Sequence, residues 1–163
     1  MFSLGKTAVA LGASALVLGG WMAPASQAAV EAAPAAQTYS LYNEAVGQML
    51  DSNSFGGNAI TWAPNGSGYQ RWTETPVTGG VQLRDAARGR CLQAPSSTGE
   101  PVAMAVCNQF TPSQRWKLVV EGDDTLIARA SNTGEVIAAT GDNSQVRLET
   151  KTNSRFQRWL VAP

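Results

Sequence analysis

The sequence predicts an all-β domain assembled from three internal repeats of about 43 residues, and three observations predict it. The triplet Gln-Arg-Trp recurs at Gln70-Arg71-Trp72, Gln114-Arg115-Trp116 and Gln157-Arg158-Trp159, at intervals of 44 and 43 residues, which is the mark of a repeat architecture. A second landmark keeps the same phase: Gly47-Gln48-Met49-Leu50, Gly89-Arg90-Cys91-Leu92 and Gly134-Glu135-Val136-Ile137 each lie 23 to 25 residues ahead of their glutamine. Between the landmarks the apolar runs are short or alternate with polar residues, and turn residues break them at the spacing of a barrel.

Read in order, the chain opens with Lys6 and the uncharged run Thr7–Leu18, followed by small residues from Ala23 to Ala29, the form of an export signal. Ser26-Gln27-Ala28 sets cleavage after Ala28, so residues 1–28 are read as a signal peptide. A retained membrane anchor would need a longer apolar stretch than Thr7–Met22, and no cysteine lies near the cleavage site to carry a lipid. The alanine- and proline-rich residues 29–38 read as a flexible leader. The remaining residues, 39–163, divide into repeats 39–80, 81–125 and 126–163; the 135 residues left after cleavage suffice for one core, not two.

Within repeat one, Phe55-Gly56-Gly57-Asn58 and Asn65-Gly66-Ser67-Gly68 read as turns. Asn65-Gly66-Ser67 also fits a glycan-acceptor pattern, but Asn-Gly is first a turn signal. Repeat two carries strand patterns at Val81-Gln82-Leu83 and Val102–Val106, with a turn at Ser97-Thr98-Gly99. Repeat three has Val146-Arg147-Leu148 after the turn Gly141-Asp142-Asn143-Ser144. No stretch of the mature chain sustains a helical period beyond one or two turns.

The motif has a physical reading. Trp72, Trp116 and Trp159 offer apolar bodies that three related repeats can bury together. Gln70, Gln114 and Gln157 each carry an acceptor and a donor able to tie loops of a repeat. Period-two alternation then turns Arg71, Arg115 and Arg158 away from the core.

Composition closes several functions. The chain has no histidine, and so no Ser-His-Asp or Cys-His couple and no imidazole metal site. The carboxylates Asp51, Asp85, Asp123, Asp124 and Asp142 show no pairing a glycosidase would use, and no phosphate loop, calcium loop or dinucleotide motif is present. No catalysis, cofactor or resident metal is therefore expected. After cleavage eleven basic side chains face twelve acidic ones, which leaves no electrostatic footprint for nucleic acid or an anionic membrane. The cluster Arg84, Arg88, Arg90 is the exception, read either as a solvated surface or as a phosphate or heparin site. Cys91 and Cys107, two thiols in an exported chain, are most simply a disulfide; two thiolates alone would make a poor zinc site. Secretion to the extracellular medium is the expectation.

In its three phased Gln-x-Trp motifs the chain resembles the ricin B-chain-type lectins and related carbohydrate-binding modules, over essentially all of residues 39–163. The resemblance implies a β-trefoil, with four strands per repeat forming a six-stranded barrel capped by three hairpins. It also implies the within-repeat pairing of Cys91 with Cys107. In that family a sugar is held by an Asp directly after the Cys-Leu pair, an aromatic residue two before the second Cys, and an Asn before the Gln. Carried over, repeat two has Gln93, Ala105 and Ser113, and repeat three has Ala138, Glu149 or a neighbour, and Phe156; neither keeps the contacts. Repeat one keeps Asp51, with Thr61 at the stacking position and Trp62 one place along, and Tyr69 in place of Asn.

The candidate ligand residues are thus Asp51, Trp62, Asn65 and Tyr69, although Asp51 also opens the polar turn Asp51-Ser52-Asn53-Ser54 and Trp62 also suits a barrel mouth. Two partners follow: a carbohydrate bound weakly through repeat one, or a secreted protein for which the trefoil is an adaptor, with Tyr39-Ser40-Leu41-Tyr42 as an arm for a partner's sheet edge.

Overall fold

The short alternating runs form twelve strands over residues 36–162, the part of the chain that the computed structural model describes. Repeat one supplies β1 (Thr38–Asn43), β2 (Gln48–Asp51), β3 (Ile60–Trp62) and β4 (Trp72–Val77). Repeat two supplies β5 (Gly80–Asp85), β6 (Arg90–Gln93), β7 (Ala103–Val106) and β8 (Trp116–Glu121). Repeat three supplies β9 (Asp124–Arg129), β10 (Asn132–Ala138), β11 (Arg147–Thr150) and β12 (Leu160–Ala162). The expected signal peptide, residues 1–28, and most of the leader lie outside the described residues.

The first and fourth strands of each repeat close a barrel in the order β1, β4, β5, β8, β9, β12. A bridge from Thr125 to Trp159 joins β9 to the start of β12, and β12 returns to β1. Closure leaves no open edge in the barrel wall. The second and third strands form the hairpins β2–β3, β6–β7 and β10–β11. A ring of backbone bonds ties these hairpins together: Ala59 N–H donates to Val102 O (2.9 Å), Val102 to Val146 (3.0 Å), and Val146 back to Ala59 (3.0 Å). Six barrel strands capped by three hairpins about one pseudo-threefold axis make a β-trefoil.

Trp72, Trp116 and Trp159 are wholly buried in one cluster with Leu41, Leu50, Leu83, Leu92 and Ile137. Each indole N–H donates back into its own repeat, to Leu50 O (3.0 Å), Leu92 O (3.1 Å) and Ile137 O (3.2 Å), so the ring is buried without an orphaned donor. A 3-10 turn precedes each tryptophan and presents the glutamine. Gln70 accepts from Asn65 N–H and donates to Ala63 O; Gln114 does the same with Asn108 and Val106, and Gln157 with Thr152 and Thr150. The motif is thus a threefold set of core anchors and loop clamps. The Cys91–Cys107 disulfide fastens the β6–β7 hairpin.

One expectation is corrected here. Tyr39-Ser40-Leu41-Tyr42 is no arm but the body of β1, paired with β4, β2 and β12, with Tyr39 and Leu41 buried. The physical reason is closure: a six-stranded barrel needs its first strand from this segment, and its apolar residues alternate with period two. The strand begins at Thr38, one residue inside the expected leader, and Gln37 O already accepts from Glu74 N–H.

Burial first, and then the Glu74 carboxylate that its hydroxyl donates to (3.1 Å), hold the Tyr39 phenol far above its ordinary value of 10.0. The folded state therefore keeps a proton that the unfolded chain releases above that value. Tyr39 contributes fully below pH 10.0 and its contribution falls as pH rises above it. Urea titrations are expected to show a steeper alkaline loss of stability for wild type than for Tyr39→Phe.

Candidate functional site

The β2–β3 hairpin pairs Met49 with Trp62, Leu50 with Thr61 and Asp51 with Ile60. Leu50 and Thr61 point into the core, whereas Trp62 is 41% exposed. The same register places Ala105 opposite Cys91 and Glu149 opposite Val136. Trp62 therefore occupies the stacking position itself, and the expectation that Thr61 holds it is corrected. Repeat two has one more residue than the others between this position and its glutamine, so counting back from Gln70 lands one place early. Thr61 is an inward residue whose hydroxyl donates to Gly141 O (2.6 Å).

Asp51, at the end of β2, is 4% exposed, and its Oδ1 accepts from Asn53 N–H (2.7 Å). None of the described residues donates to its Oδ2. Asn53 takes the left-handed backbone conformation (φ 61°), and its side chain accepts from Phe55 N–H, the local bonding by which Asn stabilises turns. Ser52 N–H donates to Tyr69 O (2.9 Å), joining this loop to the 3-10 turn of Gly68–Gln70. The Asn65 side chain accepts from Ser67 N–H (2.9 Å).

These segments enclose a cleft of about 400 Å³ whose lining includes Asp51, Trp62, Asn65 and Tyr69. All four sequence-predicted residues are brought to one place. Asn53, Phe55 and Ser67 join them, although the sequence marked them only as turn residues. Phe55, 95% exposed, offered one signal: an aromatic side chain inside a glycine-rich turn. The Ser67 hydroxyl is buried with no partner among the described residues. The cleft combines one carboxylate, several neutral polar groups and three aromatic rings, a set suited to a small polyhydroxylated ligand with an apolar face.

The other repeats differ in chemistry. In repeat two the Gln93 side chain accepts from Gln114 Nε2 (3.0 Å), and Gln82 donates to Gln114 Oε1 (3.0 Å), so the residue at the Asp51 position is absorbed into an internal network. In repeat three a cleft of about 300 Å³ is lined by Ala138, Glu149 and Phe156. Its carboxylate stands at the stacking position and its ring at the position before the glutamine, while Ala138 supplies no acceptor.

The arginine cluster is committed to the fold. Arg84 donates to Gly89 O (3.1 Å), Arg90 to Met104 O (2.9 Å), and Arg88 to the Ser52–Ser54 carbonyls. The carboxylates are likewise dispersed: Asp85 accepts from three backbone N–H groups, and Asp124 pairs with Arg158 (2.9 Å). Among the described residues no group of three or more His, Cys, Asp or Glu is placed to hold a metal ion, and no helix is long and apolar enough to cross a membrane.

The ricin-type beta-trefoil lectin domain model matches residues 37–159. Among solved structures the chain is similar to the designed 3-fold symmetric protein ThreeFoil, at 21% identity and a TM-score of 0.69 over 77% of this chain and 98% of that one. It is similar to the Macrolepiota procera ricin B-like lectin in complex with lactose, at 19% identity and a TM-score of 0.66 over 77% and 94%. It also matches the Haemophilus ducreyi cytolethal distending toxin, at 15% identity and a TM-score of 0.65 over 77% and 83%. At these identities the structural likeness speaks for the fold alone. No curated protein sequence matches the chain.

Proposed function

Because the chain belongs to the ricin-type beta-trefoil lectin domain family, we propose that it is a secreted, non-catalytic carbohydrate-binding module whose sugar site is the repeat-one cleft. The observation that carries this reading is the convergence of Asp51, Trp62, Asn65 and Tyr69 on that cleft. The Asp51 carboxylate accepts from sugar hydroxyls, the Trp62 ring packs against a C–H face, and the Asn65 and Tyr69 side chains bond the remaining hydroxyls. One shallow site without avidity gives a dissociation constant on the order of millimolar, about −4 kcal/mol. The lectin named above, which holds lactose, supports the ligand class. Export is supported by the signal-like N-terminus and by a disulfide, which persists in an oxidising compartment.

The test is a glycan array run beside a pull-down from the native culture medium, each with wild type and Asp51→Ala. Array signal in wild type that is lost in Asp51→Ala is the expected outcome. The second reading, an adaptor for a secreted protein, draws on the exposed apolar side chains Val106, Phe110 and Val120 and on the likeness to a toxin. A silent array, with a stoichiometric partner that survives Asp51→Ala, would establish that reading instead.

A further inference from the structure

We propose that Arg88, a residue of repeat two, is the positioning residue of the repeat-one cleft, setting the geometry of both of its walls. The inference rests on the carbohydrate reading of that cleft.

Arg88 lies in the turn between β5 and β6, which is shaped by the buried Asp85. The Asp85 carboxylate accepts from the backbone N–H groups of Arg88, Gly89 (3.1 Å) and Arg90 (3.3 Å). Gly89 has φ +67°, the left-handed conformation that L side chains rarely adopt, so the turn is specified by glycine at this position. The turn also leans across the repeat boundary. Ala86 N–H donates to Arg71 O (2.9 Å) and Ala87 N–H to Gly68 O (3.1 Å), anchoring it to the segment that bears Tyr69.

From that platform the Arg88 guanidinium reaches the two walls together. Its Nη2 donates to Ser52 O (3.0 Å) and Asn53 O, and its Nη1 to Ser54 O (3.4 Å), gripping the loop that follows Asp51. The guanidinium carbon stands 5.2 Å from the centre of the Tyr69 ring, within cation–π range. Asn53, Ser54 and Tyr69 all line the cleft. The planar fork engages several carbonyls and stacks on a ring at once, whereas a lysine ammonium offers no such fork. The other repeat boundaries are bridged as well, by Arg129 to Pro95 O and by Asn43 to Phe156 O and Arg158 O. Among the described residues, the stack on a cleft-lining ring occurs only at the Arg88 boundary. Bridging the repeats thus does not require the Tyr69 contact, which acts on the cleft.

The experiment combines amide hydrogen exchange of the free protein with a printed array of neutral mono- and disaccharides, for wild type, Arg88→Ala and Arg88→Lys. In both variants the Asn53, Phe55 and Gly56 amides are expected to exchange roughly tenfold faster, while the three buried indole N–H groups keep their protection. Apparent sugar affinity is expected to fall roughly tenfold in Arg88→Ala without recovery in Arg88→Lys. Wild-type affinity and exchange in Arg88→Ala would overturn the role of Arg88 and leave the carbohydrate reading standing, as would full rescue by lysine for the fork argument. An array silent for wild type would overturn the carbohydrate reading itself, and the exchange data would still show whether Arg88 holds the loop.

Discussion

Replacing Trp116 with alanine is expected to cost about 3–5 kcal/mol of folding free energy, the largest effect of any single substitution considered. The ring is wholly buried, and its backbone pairs with Val81 on one side and Arg129 on the other, at the boundary of repeats two and three. Truncation removes the apolar burial, opens a cavity among packed neighbours that belong to separate repeats, and leaves Leu92 O without its indole donor. A domain of this size has a margin of about 5–15 kcal/mol, so much of it is lost. The melting temperature should drop by roughly 10–20 °C. A variant that melted within a degree or two of wild type while losing a binding activity would move Trp116 from the core to a ligand site.

The fold was legible because threefold burial repeats its demands. Each repeat must supply one large apolar body and one amide clamp at the same phase, so Trp72, Trp116 and Trp159 with Gln70, Gln114 and Gln157 stand out at a fixed interval. Asp51 and Tyr69 were legible through the family resemblance, as the positions beside Leu50 and Gln70, with Trp62 one place from the expected stacking position and Asn65 in the turn between. What the sequence hid depends on register between distant segments. Tyr39 to Tyr42 resembled a free strand because, apart from the local pairing of Tyr42 with Met49, its partners, Trp72 and the residues of β12, lie far along the chain. The stacking position was misread by one because loop length differs between repeats, and only strand pairing sets Trp62 level with Ala105 and Glu149. Arg88 belongs to another repeat altogether, and its local cluster of arginines suggested a solvated surface or an anion site, not three side chains bonded to backbone carbonyls.

Breaking the disulfide is expected to cost about 2–4 kcal/mol without changing the fold. Cys91 lies on β6 and Cys107 follows β7, 16 residues on, so the bond closes a single hairpin. Closing a loop of about this length removes roughly 3 kcal/mol of chain entropy from the unfolded state, and Cys91→Ser adds the burial of a hydroxyl at a site 1% exposed. The fold itself should persist because the equivalent hairpins hold without a disulfide: Met49 and Val136 stand where Cys91 does, and the β2–β3 and β10–β11 pairings are intact. Urea unfolding should therefore show a lower midpoint for Cys91→Ser, with a somewhat larger m-value as the unfolded chain expands. The far-ultraviolet spectrum should be unchanged. Reduction of wild type should reproduce most of the shift, and alkylation of wild type should need prior reduction. A thiol that alkylates without reductant, or a variant that loses its β-sheet signal, would show that the hairpin of repeat two is held differently from its two counterparts.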